Sequence, residues 1–260
     1  MKIRFLGAHN EESRSTKLSS VLIDDVLAVD AGSLTCELTF EEQGKIQAIL
    51  VSHSHYDHVR AIPAFGFSNT QRITRVFGTR QNLEIITSHL LDGIIYPKLS
   101  IKDNFLERPV LELCPLEPFC PFEVAGYQVT ALPLPHLIET VGYAIVSGDS
   151  ERRNTILYAT DSGPGLSQLW PYVSPQLIIV DTTFPNRLEK LAVEGGHLCP
   201  KTLMKELIDF RSTRGYMPRI AIIHRSPRHE EEIRFDIQEV DRVVGCSIEM
   251  PGEGDIISLE

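Results

Sequence analysis

The stretch VSHSHYDHVR, residues 51–60, puts His53, His55, Asp57 and His58 within six positions, one serine after the mostly apolar run Ile46 to Val51. An apolar strand that ends in three imidazoles and a carboxylate can only sit where other polar side chains converge. His53 and His55 are two apart, so an extended segment puts both on one side. Asp57 and His58 fall where the chain should turn into a helix running through VRAIPAF. Asp57 is therefore placed either to cap that helix or to bind a metal. Capping leaves the three histidines unexplained. Imidazole together with carboxylate suits zinc, iron or manganese, and four close ligands exceed what one open catalytic ion takes. Two adjacent ions sharing further ligands are expected, which requires more histidines and a bridging carboxylate at other strand ends.

The sequence supplies them. His136 ends YQVTALPLPH, Asp161 ends TILYATD before a Gly-containing turn, and His224 ends RIAIIH. Taken singly, each histidine reads as well as a satisfied structural residue, and Asp161 as a turn residue. Taken with the cluster, they read as the missing ligands.

The rest of the chain frames this site. Its 260 residues can bury a substantial core, and 42% hydrophobic with 23% charged is an ordinary globular balance. The net charge of -10 argues against a large basic surface for tRNA or DNA, while leaving room for a small anionic substrate drawn by metal ions. MKIRFLGAHNEESRS lacks the apolar core of a secretory leader and no stretch is apolar enough to span a bilayer, so a cytoplasmic protein is expected. The five cysteines are scattered and form no CxxC pair. Cys114 and Cys120 are read as reduced thiols rather than a disulfide.

No repeat or linker marks a boundary, so a single domain over 1–260 is expected. KIRFLG, SVLIDD, VLAVDAG, IQAILVSH, TRVFGT, YQVTALPLPH, TVGYAIVSG, TILYATDSG, QLIIVDTT, RIAIIH and the closing GEGDIISLE read as strands. TRQNLEIITSHLLDGI, PKTLMKELIDF and HEEEIRFDIQEVDRV carry helical spacing. Strands are expected to dominate the first half and helices to separate strands in the second. That order fits an α+β fold of two packed sheets with helices outside.

The set Asp30 in LAVDAG, then HSHYDH, then a lone His, an Asp and a last His resembles the metallo-β-lactamase superfamily along essentially the whole chain. The resemblance implies an αββα sandwich of two mixed sheets with helices on the outer faces and a binuclear site at one edge. One metal, zinc first with manganese or iron as alternatives, would be held by His53, His55 and His136. The other would be held by Asp57, His58 and His224, with Asp161 bridging. Asp30 would fix the ligand loop, or serve as a plain strand-end turn.

DTTFPN followed by GGHLCP and a helix looks like the class II cyclic-nucleotide phosphodiesterases, and IIYPKLS at residues 94–100 is similar to a segment those enzymes carry. His197 follows two glycines and precedes a helix start, where an anion is favoured. It is expected to touch a phosphate oxygen or protonate a leaving alkoxide. Thr183 and Asn186 would line the substrate pocket by resemblance alone. Arg225 and Arg228 read as phosphate contacts or solvated surface cations, His229 as the start of the last helix, and His9 and His89 as structural.

The expected chemistry is hydrolysis of a small phosphodiester, with a 3′,5′-cyclic nucleotide first, by a water that two cations bridge and acidify. Asp57, Asp161 and His197 are its catalytic candidates. The rivals are an RNA-processing endonuclease, another ester, thioester or lactone hydrolase of the same fold, and an inert metal-binding protein. A homodimer stays open.

Overall fold

The computed structural model describes residues 1–102, 106–147 and 153–260. Its first third lays down β1 (Lys2–Gly7), β2 (Ser20–Ile23), β3 (Leu27–Val29), β4 (Ala48–Leu50), β5 (Thr74–Gly78) and β6 (Leu111–Pro115). Next come β7 (Phe122–Val124), β8 (Tyr127–Pro133), β9 (Val141–Ser147), β10 (Thr155–Ala159), β11 (Leu177–Asp181), β12 (Arg219–Ile223) and β13 (Ile248–Glu249). The last strand, β14 (Ile256–Ser258), returns to pair with β1. The first sheet has the order β14-β1-β2-β3-β4-β5-β6 and the second β13-β12-β11-β10-β9-β8-β7.

Each sheet starts antiparallel and continues parallel, from β3 to β6 in one and from β10 to β13 in the other. Parallel strands are covered on both faces, which explains why IQAILV and QLIIV are nearly continuous apolar runs rather than alternating ones. Ala48 and Leu50 pack into the core between the sheets with Phe5, Val129, Tyr143, Ile179 and Ile223. Ile49 and Val51 face outward onto Ile62, Phe65, Leu83 and Ile86 of two covering helices, Ile62–Ser68 and Arg80–His89. The outer face of the second sheet is covered by helices Pro200–Arg214 and Glu230–Val244 through Leu203, Leu207, Phe210, Ile233 and Ile237. The expected sandwich of two mixed sheets with outer helices is the observed one.

The helix ends follow local chemistry. Pro200 stands in a first turn where its missing N–H costs nothing, and Gly215 and Gly245 end their helices at φ 76° and 59°. Three expectations need correction. VRAIPAF is not one helix: the chain makes Tyr56–Val59, then Ile62–Ser68 with Pro63 in its first turn. Strands outnumber helices in the first half, eight to five among the described residues, but by less than expected, because the one-turn helices Leu34–Glu37 and Phe40–Gln43 fall there. Helices of one turn are too short to show a 3.6-residue period. β6, β7 and β13 were not anticipated, and Gly148 of TVGYAIVSG lies outside the described residues.

Candidate metal centre

β3 and β4 are parallel, and so are β10, β11 and β12; β8, antiparallel to a strand that is itself antiparallel to β10, points the same way. The residues that follow these strands therefore collect at one edge of the sandwich: Asp30 after β3, His53 after β4, His136 after β8, Asp161 after β10 and His224 after β12. Asp30, Asp161 and His224 have φ of 57°, 41° and 56°. Non-glycine residues in this region cost of order 1–3 kcal/mol each and are kept where the surroundings hold them.

Two nitrogen-rich sets meet at Asp161. On one side His53 Nε2 lies 3.0 Å from His55 Nδ1, and His136 Nε2 lies 3.5 Å from the same atom. Asp161 Oδ2 is 3.6 Å from His53 Nε2 and 3.9 Å from His136 Nε2. On the other side Asp161 Oδ1 is 3.4 Å from both His58 Nε2 and His224 Nε2. Asp57 Oδ2 completes that set at 3.1 Å from His224 Nε2 and 3.5 Å from His58 Nε2. The structure thus brings all seven expected ligand residues together, and the carboxylate of Asp161 gives one oxygen to each set.

The remaining ring nitrogens settle the tautomers. His58 Nδ1–H donates to Asp30 Oδ2 at 2.8 Å, and His53 Nδ1–H to Ser52 Oγ at 3.0 Å. His136 Nδ1–H donates to the Gly196 carbonyl at 2.9 Å, and His224 Nδ1–H to Thr183 Oγ1 at 3.1 Å. Each of these four rings therefore turns its Nε2 toward Asp161, and in the neutral ring that nitrogen is the one free to hold a metal. Burial also holds His53, His55 and His136 below the usual histidine range, which keeps them neutral donors. Burial opposes charge on His58 too, yet Asp161, Asp30 and Asp57 outweigh it and raise this ring well above its usual value, so positive charge, as a proton or a metal ion in its place, is favoured at Nε2.

Two buried atoms, His58 Nε2 and Asp161 Oδ1, have no hydrogen-bond partner. A lone pair on each, 3.4 Å apart and sealed from water, is costly unless a cation lies against both. The donor set fits divalent metal ions.

Asp30 is fully buried and accepts four hydrogen bonds: from Ser52 N–H and Oγ–H at 2.8 Å each, His58 Nδ1–H at 2.8 Å and Tyr158 O–H at 2.7 Å. It ties the ligand loop to the second sheet. His197 sits beside the second set, its ring stacked 5.2 Å from that of His224 and its Nδ1 3.3 Å from Asp181 Oδ2. Burial would lower this histidine, but the bond to Asp181 raises it above its usual value.

Sequence reasoning missed Asp181. Its Oδ1 accepts Ser162 N–H at 2.9 Å, beside Asp161, and its Oδ2 accepts Leu198 N–H at 3.2 Å. The signal was available: an aspartate ends QLIIVD as Asp30 ends its own strand.

Other expectations are corrected. Thr183 is fully buried, with its hydroxyl donating to the His224 carbonyl at 3.0 Å, so it supports a ligand and does not face substrate. Asn186 spends its Oδ1 on Lys201 N–H at 2.7 Å, at the start of helix Pro200–Arg214, rather than on the pocket. Arg225 is neither a surface cation nor a phosphate contact: it is 1% exposed and donates to the Ile222 and Pro251 carbonyls and to Glu230. Asp57 lies inside its helix turn and caps nothing. As expected, His9 is structural, buried between Glu253 and Glu230, and His229 starts the last helix; His89 lies on an exposed helix end. The five cysteines are free.

The family model described as "Beta-lactamase superfamily domain" matches residues 20–218. The chain belongs to the beta-lactamase superfamily. Ribonuclease Z of Methanocaldococcus jannaschii is 29% identical over 126 residues, covering 46% of this superfamily member and 38% of that protein. The chain spans about half, or less, of the length of the curated relatives it matches first. The metallo-beta-lactamase fold protein YhfI from Bacillus subtilis superposes with a TM-score of 0.79 at 18% identity, covering 99% of both chains. Yeast PDE1 superposes with a TM-score of 0.81 at 15% identity, also over 99% of both. Both likenesses show the fold.

In this superfamily member Asp30→Asn is expected to lower metal affinity by about 10–100-fold, because His58 loses the carboxylate that orients it. Stability should fall by about 3–5 kcal/mol, since a buried charged partner is removed. Chelator competition and urea unfolding check the two numbers separately.

Proposed function

We propose that this chain is a binuclear metal-dependent phosphodiesterase acting on a small anionic diester, in the first place a 3′,5′-cyclic nucleotide. The observation that carries the reading is the division of Asp161: Oδ2 faces His53 and His136, and Oδ1 faces His58 and His224. One ion would be held by His53, His55 and His136, the other by Asp57, His58 and His224, with Asp161 shared; zinc is the first choice, manganese or iron the alternatives. When bound, such a pair supplies a water of lowered pKa and positive charge for the phosphoryl oxygens.

The chain's own residues do the rest. Asp161 sets the separation of the two ligand sets, and Asp57 holds the open side of one of them. His197, with Nδ1 tethered to Asp181, presents its other ring nitrogen to the cleft. There it clamps a phosphate oxygen or gives its proton to the leaving alkoxide. Gly196 lets this loop approach: a Cβ there would meet His136 Nδ1 at 2.7 Å, at a φ of 73°. We take the chain as one domain over residues 1–260 and as cytoplasmic. No helix among the described residues is long and apolar enough to cross a membrane.

The ribonuclease Z match favours a second reading, an RNA-processing endonuclease. Both are tested by screening the metal-loaded protein on cyclic AMP, cyclic GMP, bis(p-nitrophenyl) phosphate, a lactone, a thioester and a 3′-extended tRNA. Hydrolysis of the small diesters, lost on chelation and restored by zinc, is the expected result. Turnover of the lactone or thioester alone overturns the proposal, and preferred cleavage of the tRNA selects the second reading.

A further inference from the structure

Arginines of the segments that follow the ligand strands are paired with carboxylates. Arg60, two residues after His58, pairs through both terminal nitrogens with the carboxylate of Glu12. Arg228, four residues after His224, donates from Nε to Glu11 Oε2 at 2.9 Å. Arg187 is bound to Glu232 at 2.6 Å. Glu11 and Glu12 both come from the loop between β1 and β2. The base of that loop runs along the residue after His224: Arg225 N–H donates to the Ala8 carbonyl at 3.1 Å, and Asn10 N–H to the Arg225 carbonyl at 3.3 Å. The loop then reaches Arg60, two residues after His58, whose ring centroid is 5.3 Å from that of His224. It therefore borders that set, bonded to the segments that follow both histidines.

We propose that Glu11 and Glu12 are specificity-determining residues that keep polyanionic nucleic acid out of the cleft and restrict it to small diesters. The proposal rests on the phosphodiesterase reading and names its substrate class. RNA binds by exchanging counterions for Lys and Arg at successive phosphates. A phosphate that approaches Arg60 or Arg228 meets a carboxylate beside the guanidinium. Two like charges about 4 Å apart repel by about 1 kcal/mol in water and about 4 kcal/mol in the milder dielectric of a protein surface. The carboxylate thus offsets the attraction of its arginine. A cyclic nucleotide has one phosphate, which the ligand sets themselves receive, so it loses nothing at the rim. RNA loses each flanking contact, and the net charge of -10 offers no broad substitute.

Glu12 is not needed to hold Arg60 in place, because Arg60 Nε also donates to the Gly32 carbonyl at 2.9 Å. Removing the acidic charge should therefore leave a cation at the rim. The test compares zinc-loaded wild type with the double variant E11Q/E12Q, in which each amide oxygen can still accept from its arginine. Binding of a fluorescent single-stranded RNA is measured by anisotropy across a salt series, alongside hydrolysis of bis(p-nitrophenyl) phosphate. Two freed cations should steepen the slope of log affinity against log salt by about 1.4 and raise RNA affinity at low salt at least about tenfold. The rate on the small diester should stay unchanged, which also shows that the variant folds. Equal RNA affinity and salt slope in the two proteins overturns the role of the two glutamates. Absence of diester hydrolysis in both proteins sinks the phosphodiesterase reading instead, while the binding comparison still judges the rim.

Discussion

Asp161→Asn is expected to leave the protein with less than its full pair of metal ions and to slow diester hydrolysis by at least about 10³-fold. An asparagine of the same shape can offer one oxygen to one ligand set, but it turns an NH2 toward the unprotonated nitrogens of the other. The His58–His224 side and the His53–His136 side can no longer both be served. Metal-ion assistance is worth several kcal/mol of transition-state stabilisation, and each factor of ten in rate is about 1.4 kcal/mol. Metal content by emission spectroscopy and turnover of bis(p-nitrophenyl) phosphate are read on the same preparation. Two full equivalents of metal at the wild-type rate would remove the bridging role from Asp161.

His197→Ala is expected to keep both metals and to lower turnover of cyclic AMP by about 10²–10⁴-fold, the span of general acid–base assistance. The effect should depend on the leaving group. An alkoxide needs a proton as it departs, whereas p-nitrophenolate leaves without one, so bis(p-nitrophenyl) phosphate should suffer less. Should His197 instead act as a phosphate clamp, both substrates would fall together, chiefly through KM. Asp181→Asn should move in the same direction as His197→Ala but less far, because the ring stays while its tether at 3.3 Å and one of the bonds to Ser162 and Leu198 N–H are weakened. An unchanged rate on cyclic AMP removes His197 from the mechanism.

Much of this was legible without coordinates. HSHYDH pointed to a metal site because three imidazoles and a carboxylate in six residues have no economical structural use. Strand ends carrying His136, Asp161 and His224 declared its partners, since apolar runs that stop at a polar residue mark a sheet edge. The two-sheet sandwich followed from the same runs, whose continuity reflects burial on both faces.

The short helices, the edge strand β6 and the roles of Thr183, Asn186 and Arg225 were not legible. The short helices span too few residues to show a period, and the others are decided by contacts with residues elsewhere in the chain. Thr183 faces His224 across 41 residues, and the loop of Glu11 and Glu12 reaches Arg60 and Arg228 across 48 and 217. Residue type gives Arg225 a surface address; only the packing around the Pro251 and Ile222 carbonyls makes burying it affordable. The sequence alone determined which side chains could serve together as metal ligands, because ligand chemistry is carried by residue type and local spacing. Only the tertiary structure decided how Asp161 shares its oxygens, which nitrogen each histidine turns inward and which carboxylates pair with Arg60 and Arg228. Those depend on positions in space that the chain fixes only when its distant strand ends meet.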